Sequence, residues 1–171
     1  MTEDTRITRS VRCNCGKVSF TVTGIDRLAV HCYCVNCQRT TGSAFAHNHR
    51  FSEASIIFDR GEEFVKQYAD GDTDSKRLML RHFCVNCVGA ALSTALVVFR
   101  ATAKTGSPLF LKSTAVADFV AVHEGSTIEK SKSQPVLELF VHEKHPWIGD
   151  VKGDYRGPPP FPWDPQPCSS A

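Results

Sequence analysis

The stretch His31-Cys32-Tyr33-Cys34-Val35-Asn36-Cys37 sets three cysteines in the spacing CxCxxC. Thiolates so close in sequence can converge on one centre, so that density asks for a metal ion. A second close pair, Cys13-Asn14-Cys15, lies upstream, and a third, Cys84-Val85-Asn86-Cys87, lies downstream. Seven of the eight cysteines therefore fall into three tight groups, and the rest of the chain reads as the scaffold that brings them together.

With 171 residues the chain suits one domain with a real core. Its hydrophobic content of 42% and charged content of 22% are those of a globular protein, and a net charge of +2 gives no electrostatic reason to expect nucleic acid or a membrane surface as partner. Residues 1–10 are polar and lack the apolar segment of a signal peptide. The longest apolar run, 88–99, is too short and too rich in small residues to span a bilayer. A cytoplasmic protein is the expectation, and in that reducing compartment such cysteine spacing marks a metal site rather than disulfides.

Around the cysteines the chain reads as mostly β. Val18, Phe20 and Val22 alternate strictly with Lys17, Ser19, Thr21 and Thr23, the pattern of a half-buried strand. Gly24 is expected to end it before a second short strand, Leu28-Ala29-Val30, that delivers His31 and Cys32. Residues 38–45 lack helical periodicity and read as a turn-rich loop beside the metal, a candidate substrate loop. Phe51-Ser52-Glu53-Ala54-Ser55 reads as one helical turn. Strands follow at 56–58, 64–68 and 76–83, the last leading into Cys84, with later ones at 116–122 and 137–141. Trp147 reads as a packing anchor, and residues 153–171, with Pro158-Pro159-Pro160, as an irregular tail.

Cys13 and Cys15 with Cys84 and Cys87 make a closed four-sulfur set, the form that stabilises a fold. Cys32, Cys34 and Cys37 remain, and three protein ligands leave a fourth position for water or substrate, the mark of a catalytic metal. The alternative is that His31, His47, His49 or His82 fills that position and closes the second site too. Cys168, in the tail, reads as a spare thiol.

Cys13-Asn14-Cys15-Gly16, then His31-Cys32-Tyr33-Cys34-Val35-Asn36-Cys37-Gln38-Arg39-Thr40-Thr41-Gly42-Ser43, then His82-Phe83-Cys84-Val85-Asn86-Cys87 resemble the glutathione-dependent formaldehyde-activating enzyme family, also called the CENP-V/GFA domain. The resemblance implies an Mss4-like β-sheet fold over 11–152, after a flexible N-terminus at 1–10. It implies two zinc ions, a structural one on Cys13, Cys15, Cys84 and Cys87 and a catalytic one on Cys32, Cys34 and Cys37. The implied chemistry is that of a carbon-sulfur lyase adding the thiol of glutathione to formaldehyde, with Arg39, Gly42 and Ser43 placed to meet the anionic co-substrate. Partners are then a small thiol and a small carbonyl compound. Two other readings share these residues: a non-catalytic zinc-binding interaction protein, and a lyase acting on another glutathione adduct.

The chain departs from the family pattern at one place. Family members usually continue the last cysteine pair directly as Cys-Gly-Ser/Thr-Pro-Leu, whereas here residues 88–104 intervene before Gly106-Ser107-Pro108-Leu109. The inserted run contains no acidic residue and does not alternate like the flanking strands. Two origins account for it, an intron retained and translated in frame or a true loop insertion. Either one sets apolar sequence next to Cys87 and is expected to weaken the four-sulfur site.

Overall fold

The alternation that begins at Val18 runs on much further than the motif suggests. In the computed structural model of the protein, which describes residues 5–87, 106–129 and 134–151, it becomes one strand of 14 residues. The described strands are β1 (Arg6–Arg12), β2 (Ser19–Cys32), β3 (Ala46–Arg60), β4 (Val65–Asp70), β5 (Met79–Cys84), β6 (Ser107–Ser113), β7 (Val120–His123) and β8 (Leu137–Leu139). They form one sheet in the order β1-β2-β3-β7-β6-β5-β4, each neighbour antiparallel, while β8 lies parallel to β2. The fold is mostly β, with α1 (Val35–Thr41) the single α-helix among the described residues.

Four local expectations are corrected. Residues 6–10, assigned to a flexible N-terminus, begin β1 and pair with β2. Gly24 does not end a strand: a Cβ there would lie 2.8 Å from the Ser52 carbonyl oxygen, so glycine lets β3 close against β2 at a bulge between Thr23 and Ile25. The segment 51–55, read as a helical turn, is the partner of that bulge, with Glu53 at φ 46°. Residues 38–41, read as loop, complete α1, whose C-cap is Gly42 in the left-handed region. Threonines hid the helix from a periodicity search, yet Thr40 and Thr41 satisfy their hydroxyls by donating to the Asn36 and Cys37 carbonyls, four residues back.

Facing residues in a ladder share a face, so the register sorts the side chains. The pairs Phe110 with Val122, Phe51 with Val120 and Phe20 with Phe58 point to one side. There Val11, Val18, Phe20, Val22, Phe51, Leu109, Phe110, Val120 and Val122 form the main core, which also holds Cys13, Cys84 and Cys87. The pairs Cys32 with Ala46, Val30 with Asn48, Asn48 with His123, Arg50 with Ala121, Ala121 with Leu111, and Leu111 with Arg81 point to the other side. One sheet thus gives each cysteine group its own surroundings.

The inserted run 88–104 and the tail 153–171, with Cys168, lie outside the described residues. On the far side of the insertion the expected sequence resumes its place. Ser107 pairs with Cys84 and Pro108 with Phe83, and a Cβ on Gly106 would fall 2.3 Å from the Cys84 carbonyl oxygen, a contact only glycine permits. Trp147 is not a packing anchor: it is 75% exposed and stacks on His145.

A buried polar trio ties β2, β3 and the segment after β7. The His49 ring, 1% exposed, lies 2.7 Å from Asp26 Oδ1 through Nε2 and 2.8 Å from Glu124 Oε1 through Nδ1. Burial opposes protonation of His49, but the hydrogen bonds and charges of Asp26 and Glu124 outweigh it and raise its pKa. Burial likewise raises Asp26 and Glu124, and the His49 partner overcomes it and lowers both. The histidine contribution is complete below its ordinary value of 6.5 and is lost as pH rises through the raised folded value. The carboxylate contribution is complete above the ordinary values of 3.8 and 4.5 and is lost as pH falls through the lowered folded values. Denaturant unfolding of the protein and of His49→Gln across pH is therefore expected to show the largest difference between pH 4.5 and 6.5, shrinking on both sides. The cysteine groups are common to both proteins and cancel in that difference.

Candidate active site

The four-sulfur set comes together from three segments. The loop after β1 supplies Cys13 and Cys15, the end of β5 supplies Cys84, and the turn beyond it supplies Cys87. Their sulfurs all lie within 4.8 Å of one another, with Cys13 Sγ 3.4 Å and Cys84 Sγ 3.9 Å from Cys15 Sγ. Backbone N–H groups of Val18 and Cys15 donate to Cys13 Sγ and Cys87 Sγ, each at 3.3 Å. Asn86 Nδ2 donates to Cys15 Sγ at 3.4 Å, and this bond, followed by the Lys17 amide, lowers the Cys15 pKa to about 6. Donors aimed at sulfur favour thiolates, and four thiolates in one cluster fit a tetrahedral zinc ion. The cluster forms with the insertion present in the chain.

The second group is built on the junction of β2 with α1. Cys32 ends the strand, Cys34 is the N-cap of the helix, and Cys37 closes its first turn, so the CxxC spacing is one turn of helix. The Cys37 N–H donates to Cys34 Sγ at 3.4 Å, in the way a capping oxygen would accept it. Cys32 Sγ lies 3.5 Å from Cys34 Sγ. Thiol donation from Cys32 and then Cys37 pulls the Cys34 pKa down to about 3, while hydrogen bonding to Cys34 and Cys37 and burial push Cys32 well above its ordinary value. Three sulfurs within 4.8 Å of one another form a group that could hold a cation.

Arg81 supplies the balancing charge. Its guanidinium, buried beside the group, donates from Nε to Asp70 Oδ2 at 2.7 Å. Asp70 in turn accepts from Asn36 Nδ2 at 3.0 and 3.1 Å, and Asn36 also donates to the Asp72 carbonyl at 2.8 Å. Burial works against the Arg81 charge, but the neighbouring Cys37 and Asp70 side chains outweigh it and raise its pKa. A residue between the cysteines of CxxC is thereby wired to the far edge of the sheet.

The second group opens into a cavity of about 90 Å³. Val30, Leu111, Phe119, Leu139 and Phe140 make its apolar wall, while Asn48, Arg50, Arg77 and Arg81 bring polar groups to it. Space for several water-sized molecules suits a small reacting group, with the bulk of a larger substrate outside.

No histidine, aspartate or glutamate among the described residues completes the Cys32, Cys34 and Cys37 group. His31 stacks on Phe45 at 4.2 Å and meets His47 edge-on at 5.1 Å. His49 is held in the Asp26 and Glu124 trio, and His82 stacks on Phe110 at 4.2 Å. Arg39, Gly42 and Ser43 are exposed on α1 and just past it, and they do not line the cavity. The arginines that do line it, Arg50, Arg77 and Arg81, were not singled out by sequence. The available signal was weak: Arg81 lies two positions from the apolar Met79 and Phe83 in β5, while Arg77 precedes that strand.

Residues 8–103 match the family described as glutathione-dependent formaldehyde-activating enzyme. The chain belongs to that family, as the order of its cysteines indicated. None of the curated proteins matches the chain.

Two outcomes test this site. Elemental analysis of the purified protein is expected to find two zinc ions per chain, with one lost in Cys84→Ser together with a large fall in melting temperature, because that group sits in the main core. Arg81→Met leaves the Asp70 carboxylate buried without its partner, and urea denaturation is expected to show a loss of about 3–5 kcal/mol.

Proposed function

We propose that the protein joins the thiol of glutathione to formaldehyde, or to a related small electrophile, as a zinc-dependent carbon-sulfur lyase of the S-(hydroxymethyl)glutathione synthase type. The observation that carries this reading is a group of three cysteines, completed by no histidine or carboxylate among the described residues, beside an apolar cavity that arginines border. Family membership supplies the thiol and the carbonyl compound, and a reducing cytoplasm is where glutathione is abundant.

Cys32, Cys34 and Cys37 would hold the reactive zinc, and Cys13, Cys15, Cys84 and Cys87 the structural one. A zinc ion held there would supply the positive charge that favours ionisation of a thiol near neutral pH. The positive groups of Arg50 and Arg77 attract the carboxylates of a glutathione-like molecule and orient its sulfur toward the cysteines. The apolar wall from Val30 to Phe140 keeps water away from the reacting carbon, which favours addition by sulfur over hydration. Arg39, Gly42 and Ser43 are left to guide the co-substrate from the outer surface. A purely structural zinc protein would have use for the four-sulfur set alone and none for the cavity.

Exchange NMR of ¹³C-formaldehyde with glutathione tests the proposal. The zinc-loaded protein is expected to accelerate exchange, and Cys34→Ser is expected to fall to the uncatalysed rate while keeping the native circular dichroism spectrum. Absence of acceleration by the intact protein would overturn the reading.

A further inference from the structure

Two buried polar atoms of cavity-lining residues have no hydrogen-bond partner among the described residues. Asn48, 4% exposed, has its Oδ1 buried without a hydrogen bond. Arg81, 7% exposed, spends its Nε on Asp70 and leaves Nη1 buried and unused. Both line the cavity that Cys32, Cys34 and Cys37 also line. The register brings them to the same face of the sheet, through His123 and Ala121 of β7 and Leu111 of β6. Leaving such groups unmatched lowers stability, so their retention beside a candidate reaction centre signals a ligand that completes them.

The pair is one acceptor and one donor. A carboxylate, which only accepts, would meet the Asn48 oxygen unfavourably, and a methyl group would satisfy neither partner. A hydroxyl satisfies both, accepting from Arg81 Nη1 and donating to Asn48 Oδ1. We propose that Asn48 and Arg81 form an oxygen-recognition pocket beside the cysteine group that selects thiol adducts carrying a hydroxyl on the carbon next to sulfur. The inference rests on the carbon-sulfur reading above and specifies the part of the substrate that the site reads.

In the reaction, the thiolate sulfur forms a bond to the carbonyl carbon, and the π electrons of the C=O bond move to oxygen. The proton lost when the thiol ionised returns to that oxygen, so thiol plus formaldehyde gives the hydroxymethyl thioether with nothing left over. Arg81 Nη1 faces the oxygen as negative charge grows on it, and Asn48 accepts the proton-bearing side of the finished hydroxyl. Both are therefore assigned as catalytic residues.

The test compares binding of two ligands, read apart from turnover. S-hydroxymethylglutathione, generated by mixing glutathione with ¹³C-formaldehyde, is titrated by ¹³C NMR, and S-methylglutathione, which lacks the hydroxyl, by calorimetry. The zinc-loaded protein is expected to prefer the hydroxymethyl adduct by about 10- to 100-fold, the span of one hydrogen bond to a charged group. Asn48→Ala is expected to lose most of that preference with S-methylglutathione affinity unchanged. Asn48→Leu is expected to lose it too while melting at or above the temperature of the unaltered protein, an outcome a merely structural asparagine would not give. Equal affinity of the unaltered protein for the two ligands, binding of neither, or a preference that survives both Asn48 substitutions would overturn the inference. A protein that shows the preference but does not accelerate exchange would sink the lyase reading and leave the oxygen pocket standing.

Discussion

Three buried thiols set against one buried guanidinium form the interaction on which the rest of the site depends. Cys32, Cys34 and Cys37 cannot all carry charge in a dry pocket unless cations answer them, and among the described residues Arg81 is a buried cation that acts on Cys34 and Cys37. Holding Arg81 there requires its own counter-charge, which Asp70 supplies, and Asp70 is fixed by Asn36 from inside the CxxC turn. The loop of interactions closes on itself: the helix that presents the cysteines also positions the acid that positions the arginine. The cavity inherits its polarity from this circuit.

The sheet makes the circuit possible by separating two tasks. On one face aromatic and branched side chains pack around the four-sulfur group, with Phe20 edge-on to Phe110 at 5.2 Å, so folding and the assembly of the four cysteines support one another. On the other face the same strands carry Asn48, Arg50 and Arg81, residues that would weaken a core and are tolerated because they border a cavity. The bulges of β2 against β3 allow two strands of 14 and 15 residues to curve and serve both faces.

Sequence reading was strongest where chemistry and spacing coincide. The cysteines could be divided into four and three because CxC and CxxC leave few ways to share ligands, and both groups assemble with that membership. The alternation of Val18, Phe20 and Val22 was legible because period two has one structural meaning, and all three are fully buried. Reading failed at Gly24, at 51–55 and along 38–41, where a local signal was overridden by a close approach of strands or by a short capped helix. Arg39, Gly42 and Ser43, chosen for nearness in the chain to Cys37, lie exposed outside the cavity, because a helix turns its successive residues away from the group its first turn holds.

The sequence by itself determined the family, the mostly β class and the membership of the two cysteine groups, since these follow from residue types at short fixed separations. Only the tertiary structure decided which polar residues face the three-cysteine group. Asn48, Arg50 and Arg81 stand on strands that pairing brings together across tens of residues, and the register that aligns them with Cys32 is a property of the whole sheet.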